Sequence, residues 1–141
     1  TRFFIVGQKP THTVTALAAN PNVIITGAVE EMPPYLHGAS VYVAPLRMGS
    51  GTRLKLLEAM ACGCAIVATQ IAAAGLESSA RSSMCIRDEA DQLADAIIDL
   101  LMDPDRRDVL GRDAQRSVSE HYDWHVLMPR LLKVYEDIGL G

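Results

Sequence analysis

Four short apolar runs, separated by segments of helical character, are the feature that most constrains the fold of this chain. Each run is continuously apolar instead of alternating, which is typical of strands buried on both faces of a parallel sheet. Strands that alternate with helices indicate βαβ units, so the sequence predicts an α/β protein with a Rossmann-like parallel sheet flanked by helices. The predicted strands are 2–6, 23–26, 40–44 and 65–68, and the predicted helices between them are 13–19, 30–37 and about 50–62.

The second half of the chain is predicted to be mainly helical. Residues 71–83 lack a clear period and are predicted to form a loop with one helical turn, before a weak fifth strand at 83–87. One amphipathic helix ends at Asp103-Pro104, and a second begins there. A last helix, 124–138, is apolar on more than one face, and either docks on another domain or wraps around this one. In the second helix, the residues predicted to face inward are Val109, Leu110, Ala114 and Val118.

The stretch 44–69 contains a glycine-rich loop that leads into a helix. Gly49 and Gly51 leave room for backbone N–H groups to approach an anion, as loops before helices commonly do in α/β proteins. Ser50 is the predicted N-cap of this helix, and Gly63 is its predicted stop. Ligands of parallel sheets bind at the carboxyl ends of the strands. The predicted site therefore consists of the loops 7–12, 27–30, 45–51 and 69–75.

Glu58 is the residue that a purely structural helix explains least well. It falls at the edge of the predicted buried stripe, where a carboxylate is costly unless it is paired. One interpretation is an ion pair with Lys55, and the other is that Glu58 accepts hydrogen bonds from the hydroxyls of a ligand. The rise from Gly51 to Glu58 is about 10 Å, which suits a nucleotide with its diphosphate at the helix start. The stripe is predicted to contain Leu54, Leu57 and Ala61, widened by Arg53 and Met60.

Charge is distributed unevenly along the chain. Residues 1–87 carry a net charge of +3 and residues 88–141 a net charge of −7, so the glycine-rich loop lies in the basic part. The sequence has no basic run interleaved with aromatic residues, so nucleic acid is not expected as a partner. No apolar stretch approaches the roughly 20 residues of a membrane span. A cytoplasmic location is expected. In such a reducing compartment the cysteines are predicted to be small buried residues and not a disulfide framework. They are Cys62, Cys64 and Cys85.

The 141 residues amount to one domain, and an apolar fraction of 49% is ample for one core. The chain begins with Thr1 and not with Met, so a fragment of a longer protein is expected. The histidines do not share the spacing of metal ligands, so no metal site is predicted.

The segments IVG, PNVIITGAVEEMPPYLHGASVYVAPL and LLEAMACGCAIVAT follow one another along the chain, before a late Tyr122-Asp123-Trp124. In this order they closely resemble the C-terminal half of GT-B glycosyltransferases of the large group 1 family. The most specific part of the resemblance is Leu57-Glu58-Ala59-Met60-Ala61 with Gly63 after it. The resemblance extends over nearly all 141 residues.

This resemblance implies that residues 1–141 are the nucleotide-sugar-binding domain of an enzyme whose N-terminal acceptor domain is absent from the chain. The implied reaction transfers a sugar from a nucleoside diphosphate sugar to an acceptor such as a glycan or lipid, without a metal ion or other cofactor. The diphosphate meets backbone N–H groups at 51–54, the ribose hydroxyls meet Glu58, and the base lies against 27–31. The implied donor-binding residues are Gly49, Ser50, Gly51, Thr52, Arg53, Leu54, Lys55, Glu58, Gly27 and Glu30, and no catalytic residue is implied in this chain.

One position departs from the family motif. Its first glutamate usually lies eight positions before the ribose glutamate, where Ser50 stands here. Thr52 and Arg53 follow in place of the usual aromatic residue and second glycine. Either Arg53 or Lys55 is a candidate to supply positive charge near the phosphates. The identity of the donor sugar is therefore open.

Two other classes of function are alternatives to the enzyme. The first is a non-catalytic nucleotide-binding or interaction module of the same fold, which Ser50 favours. The second is a dehydrogenase-type Rossmann domain, which is disfavoured because GQKPTH, and not GxGxxG, follows the first strand. The isolated chain is expected to be inactive. Donor base, acceptor, stereochemistry and oligomeric state stay open, as does peripheral membrane association of the full protein.

Overall fold

The computed structural model describes residues 1–49, 51 and 53–139. The chain divides into two compact units, Thr1–Pro34 and Tyr35–Gly141. Parallel strands and helices make up the chain, which confirms the predicted α/β class. Hydrogen bonds group the described strands into two parallel sheets, one in each unit. The sequence did not predict this grouping, because apolar runs identify strands without identifying their neighbours.

The first unit contains a pair of parallel strands. Its elements are β1 (Phe3–Val6), α1 (His12–Ala16), a 3-10 turn (Leu17–Ala19) and β2 (Val23–Gly27). Thr11 caps α1, since its side chain accepts a 3.4 Å hydrogen bond from the N–H of Val14. The prediction that the first strand is buried on both faces is wrong, because Phe3 and Phe4 are each 46% exposed. Two strands and one short helix provide too little chain to cover both faces of the sheet within this unit.

The second unit contains a three-stranded parallel sheet in the order β3-β4-β5. The middle strand, β4, is completely buried, as predicted for a strand covered on both faces. The predicted fifth strand and the single helical turn within 71–83 are both confirmed, as β5 and α4. From the division between the units onward, the elements are α2 (Pro33–His37), β3 (Tyr42–Ala44), α3 (Leu54–Ala61), β4 (Ile66–Ala68), α4 (Ser78–Ser82), β5 (Cys85–Ile86), α5 (Ala90–Met102), α6 (Pro104–His121) and α7 (Trp124–Asp137).

The core of the second unit lies against this sheet. Since side chains alternate along a strand, Val67 faces one side of the sheet, while Ile66 and Ala68 face the other. All three side chains are fully buried. The cluster on the side of Val67 joins the sheet to α5 and contains Ala65, Val67, Cys85, Ala96 and Leu100.

The buried residues of α6 are its smallest ones, and Gly111 is the one that lies against the end of α3. Gly111, Ala114 and Ser117 are the buried residues of α6. A Cβ added at Gly111 would overlap the carbonyl group of Gly63, which follows α3. The predicted inward set is right for Ala114 but wrong for Val109, which is 48% exposed. The two backbones approach so closely that small residues, and not the larger apolar ones, occupy the contact.

Helix α7 has no buried residue. Its exposed apolar side chains include Trp124 (72% exposed), Leu132 (54%) and Val134 (55%). Val126 and Leu127 are half-buried, so burial supports the interpretation that α7 wraps around this domain only near its beginning, and docking on another domain stays a prediction. Among the described residues, no helix combines the length and apolar character that crossing a membrane requires.

Candidate functional site

The glycine-rich loop extends further than the sequence predicted. Helix α3 begins at Leu54, and Arg53 occupies its N-cap position without a capping hydrogen bond from its side chain. The predicted helix start at 50 or 51 is therefore wrong, and the N-cap prediction falls on Ser50, which lies outside the described residues. The physical reason is that Gly49 and Gly51 have φ angles of +130° and +87°, which an α-helix does not accept. Ser50 and Thr52 themselves lie outside the described residues.

The buried face of α3 differs from the predicted stripe. Its buried residues are Leu56, Ala59 and Met60, whereas Leu54 is 73% exposed. Of the predicted stripe, Met60 is correct, while Leu54 and Ala61 are wrong because both are exposed. The apolar pattern gives the period of the helix, but packing in the folded chain decides which of its sides is turned inward.

The end of α3 is a Schellman motif, as the prediction of Gly63 as its stop requires. The N–H of Gly63 donates to the carbonyl of Met60 at 2.9 Å, and the N–H of Cys64 donates to that of Ala59 at 3.0 Å. Gly63 has a φ angle of +72°, which explains why glycine stands there.

Glu58 is exposed, so the premise that it is half turned toward the core is wrong. No ion pair within 4.0 Å joins Glu58 to Lys55, although the structure describes both residues. Because the helix starts at Leu54, the helical rise from there to Glu58 is about 6 Å and not 10 Å. An exposed carboxylate one turn into the helix remains accessible to hydroxyl donors.

A cavity of about 370 Å³ opens between the end of β3 and the start of α3. Pro45 and Leu46, which follow β3, form one wall, and Arg53, Leu54 and Lys55 line the other. This volume falls in the range of small-molecule sites. In a helix that begins at Leu54, the N–H groups of Leu54 and Lys55 precede the first intrahelical acceptor and are directed toward the loop. The cavity thus combines apolar walls with two cationic side chains at a helix N-terminus.

Thr69 forms hydrogen bonds to the segment that makes up one wall of this cavity. Its hydroxyl donates a 2.6 Å hydrogen bond to the carbonyl of Leu46 and accepts a 3.2 Å bond from the N–H of Ala72. The backbone N–H of Thr69 donates to the carbonyl of Ala44 at 3.2 Å. The loops that follow β3 and β4, two of the four loops predicted to form the site, are thereby joined. Sequence reasoning did not single out Thr69, because no spacing distinguishes it from an ordinary residue at a strand end.

Burial and the charge of Glu58 shift the ionisation of groups beside α3. Burial raises the pKa of Tyr42 and of Cys62, and the nearby carboxylate of Glu58 adds to both shifts. Burial, assisted by Cys62, raises the pKa of Cys64 to about 11. A thiol that keeps its proton at neutral pH is a poor nucleophile. The prediction of small buried cysteines is confirmed for Cys64 and Cys85, whereas Cys62 is only half-buried.

The remaining predicted site residues lie in the first unit. Gly27 ends β2 with a φ angle of +71°, and Glu30 is exposed in the segment that follows. The predicted role of this loop stays a prediction. Among the residues that the structure describes, no group of three or more His, Cys, Asp or Glu side chains could hold a metal ion.

Parallel strands joined by helices, with a glycine-rich loop between a strand end and a helix, define a Rossmann-like α/β protein. The family model described as glycosyl transferases group 1 matches residues 1–103. The chain belongs to this family.

Two similar proteins with known names are mannosyltransferases. The phosphatidyl-myo-inositol mannosyltransferase of Mycolicibacterium smegmatis is 35% identical over 107 residues, which is 74% of this chain and 27% of that protein. A Corynebacterium glutamicum protein is 25% identical over 130 residues, 86% of this chain and 34% of that protein. Its name is GDP-mannose-dependent monoacylated alpha-(1-6)-phosphatidylinositol monomannoside mannosyltransferase. The chain thus spans about a third or less of the length of these relatives.

Solved structures share the fold. The sucrose-phosphate synthase of Thermosynechococcus elongatus superposes with a TM-score of 0.77 at 22% identity, over 96% of this chain and 38% of that one. Anabaena HepE, solved in complex with UDP, superposes with a TM-score of 0.82 at 16% identity, over 97% of this chain and 41% of that one. These TM-scores establish a common fold with part of each of the two structures.

Proposed function

We propose that this chain is the C-terminal, donor-binding domain of a nucleotide-sugar-dependent glycosyltransferase of the hexosyltransferase type. The full enzyme transfers a sugar from a nucleoside diphosphate sugar to an acceptor such as a glycan or lipid, and its N-terminal domain supplies the acceptor site. The observation that carries this proposal is the 370 Å³ cavity at the start of α3, which Arg53 and Lys55 line directly after the glycine-rich loop in the sequence.

The diphosphate of the donor binds at the start of α3 in this proposal. A helix N-terminus carries partial positive charge and free N–H donors, which favour an anion. Arg53 and Lys55 line the same cavity and add two full positive charges. When the bond to the sugar breaks, negative charge develops on the leaving diphosphate, and these fixed charges stabilise it. Ser50 and Thr52 belong to this subsite on the strength of the sequence alone.

Glu58 binds the ribose hydroxyls of the donor. Its carboxylate is exposed one helical turn beyond Leu54, on the side of α3 that is turned away from the core. A carboxylate accepts hydrogen bonds from two adjacent hydroxyls, and these charge-assisted bonds are stronger than neutral ones. The base lies against the loop that contains Gly27 and Glu30.

The comparisons support nucleotide-sugar use without fixing the base. One similar structure holds UDP, whereas the name of one relative specifies GDP-mannose. Both bases therefore belong in the test. A cytoplasmic location is proposed with the enzyme, and peripheral membrane association of the full protein stays an open alternative.

The test is an NMR titration of the 141-residue chain with UDP, GDP, ADP and NAD. One nucleoside diphosphate should shift the resonances of residues 49–58, and Glu58→Gln should weaken its binding about tenfold, as expected for the loss of a charge-assisted hydrogen bond. Glu120→Gln, an exposed glutamate on α6, is the matched control and should bind like the unchanged chain. Preference for NAD, or equal effects of the two variants, would contradict the proposal.

The second candidate function is a non-catalytic nucleotide-binding module of the same fold. The observation that favours it is Ser50 at the position of the first glutamate of the family motif. The two candidates differ in turnover. The intact protein, supplied with UDP-sugars or GDP-sugars, should release the nucleoside diphosphate if it is an enzyme, and should only bind the donor if it is a module.

A further inference from the structure

Arg81 of α4 binds the loop that follows β4. Its guanidinium donates one hydrogen bond of 3.1 Å from Nη1 to the carbonyl of Ala73, and one of 2.5 Å from Nη2 to Oε1 of Gln70. Both acceptors belong to the loop 69–75, and Arg81 itself is half-buried. Because the donors of a guanidinium lie in one rigid plane, two such bonds fix the orientation of the loop as well as its distance from α4.

Two further hydrogen bonds tie the beginning of this loop to the neighbouring strands. The N–H of Gln70 donates to Oδ1 of Asp88, which follows β5, at 2.8 Å. The hydroxyl of Thr69 donates to the carbonyl of Leu46, which follows β3. The strand ends thus hold the loop where it begins, and Arg81 holds it further along, at Ala73.

Helix α4 is itself attached to α6. The N–H of Glu77, at the N-cap position of α4, donates to the hydroxyl of Tyr122 at 2.8 Å. The hydroxyls of Ser79 and Ser117 are 3.0 Å apart, and Ser117 is buried. Sequence reasoning gave no role to the late segment that begins with Tyr122. In the structure, Tyr122 helps to fix the helix from which Arg81 reaches the loop.

The loop 69–75 is part of the candidate site. Ala72 lines the 370 Å³ cavity together with Leu46 and Lys55. It is completely buried, and its N–H donates to the hydroxyl of Thr69 at 3.2 Å. Because protein interiors are close-packed, a displacement of Ala72 changes the shape of the cavity instead of being absorbed by empty space.

We infer that Arg81 is a positioning residue of the donor site, which acts through its hydrogen bonds to Gln70 and Ala73. This inference rests on the proposed function and deepens it. The described residues that line the cavity include the cations Arg53 and Lys55 but not Arg81, so Arg81 acts on the loop and not on the ligand. A loop that already has its bound conformation loses less conformational entropy when the nucleotide binds.

The experiment compares two arginines in the 141-residue chain. Arg107 is half-buried like Arg81 and also donates two hydrogen bonds, to the carbonyls of Leu100 and Leu101, but neither acceptor lines the cavity. Arg81→Ala should weaken the binding of UDP or GDP, whichever the unchanged chain binds, about tenfold. Arg107→Ala should bind like the unchanged chain. Urea unfolding of both variants separates a loss at the site from a general loss of stability.

Changes at Gln70 test the same contact from the other side and do not depend on the folding of Arg81→Ala. Gln70→Ala removes one acceptor and should weaken binding about threefold. Gln70→Glu keeps an oxygen that accepts from the guanidinium, so it should bind like the unchanged chain. In the Arg81→Ala background, Gln70→Ala should have no further effect, because its partner is already absent.

Hydrogen exchange without nucleotide tests the loop itself. The N–H of Ala73 donates to the carbonyl of Thr69 at 3.0 Å and that of Ala72 donates to its hydroxyl, so exchange of both amides reports opening of the loop. Their exchange should be at least about tenfold faster in Arg81→Ala than in Arg107→Ala.

The possible outcomes separate this inference from the proposed function. If the unchanged chain binds UDP or GDP and Arg81→Ala binds equally well, or if Arg107→Ala loses as much, the inference is overturned while the proposed function stands. Exchange of Ala72 and Ala73 that is unchanged in Arg81→Ala overturns it as well. If neither nucleotide binds the unchanged chain, the proposed function fails for this chain, and the positioning role fails with it.

Discussion

Gly111 of α6 lies against the backbone of Gly63 at the end of α3, so closely that no Cβ fits between them. Gly111→Ala should therefore lower the free energy of unfolding by about 3 kcal/mol, even though alanine is the better helix former. Urea unfolding measures this change. Arg112→Ala, at the exposed neighbouring position of α6, is the control and should change it by no more than about 0.5 kcal/mol. Equal stability of the two variants would mean that the helices do not meet in this way.

The hydroxyl of Thr69 is a second point at which one side chain holds the site together. Thr69→Val keeps the shape but leaves the carbonyl of Leu46 without its 2.6 Å hydrogen bond. The free energy of unfolding should fall by about 1–3 kcal/mol. Thr69→Ser keeps the hydroxyl and should recover most of the loss. A serine variant as unstable as the valine variant would assign the effect to packing of the methyl group instead of to the hydrogen bond.

Because of Cys64, the free energy of unfolding of the chain should decrease at alkaline pH. Burial raises its pKa to about 11 in the folded state, from 9.0 for an ordinary thiol. Between these values the unfolded chain has released a proton that the folded chain still binds, so stability decreases as the pH rises from about 9 to about 11. The loss at pH 10 should be about 1 kcal/mol relative to pH 8. Urea unfolding of Cys64→Ala at both pH values should show a correspondingly smaller decrease.

Helix α7 should contribute little to the stability of this chain through its exposed apolar residues. Leu132 is 54% exposed, and glutamine has a similar helix propensity, so Leu132→Gln should change the free energy of unfolding by no more than about 0.5 kcal/mol. Leu100→Ala in the core should cost about 3 kcal/mol and calibrates the measurement. A large loss in Leu132→Gln would favour the interpretation that α7 wraps around this domain.

The sequence predicted where the strands and helices lie better than it predicted which of their sides are buried. Apolar runs placed each strand within about two residues, and Gly63 ended α3 as predicted, because local backbone preferences act over a few neighbouring residues. The buried face of α3 was predicted only in part, since Met60 is buried but Ala61 is exposed. Leu54, an apolar residue at helical spacing, is exposed, and Leu56 is buried in its place. Helical spacing gives a period but does not say which side of the helix is buried, and that side is decided by packing in the folded chain.

The candidate site, too, could be predicted from the sequence only in part. The residues proposed to bind an anion, Gly49, Gly51, Arg53 and Lys55, lie within one segment of seven residues, so their chemistry is readable from the sequence and from its resemblance to a family. The hydrogen bond that holds one wall of the site depends on folding, because Thr69 reaches Leu46 across 23 positions. The sequence by itself determined the α/β class and the kind of ligand to expect, since both follow from local patterns. Tertiary structure decided which sides are buried and what fastens the loop, since both depend on residues that only packing brings together.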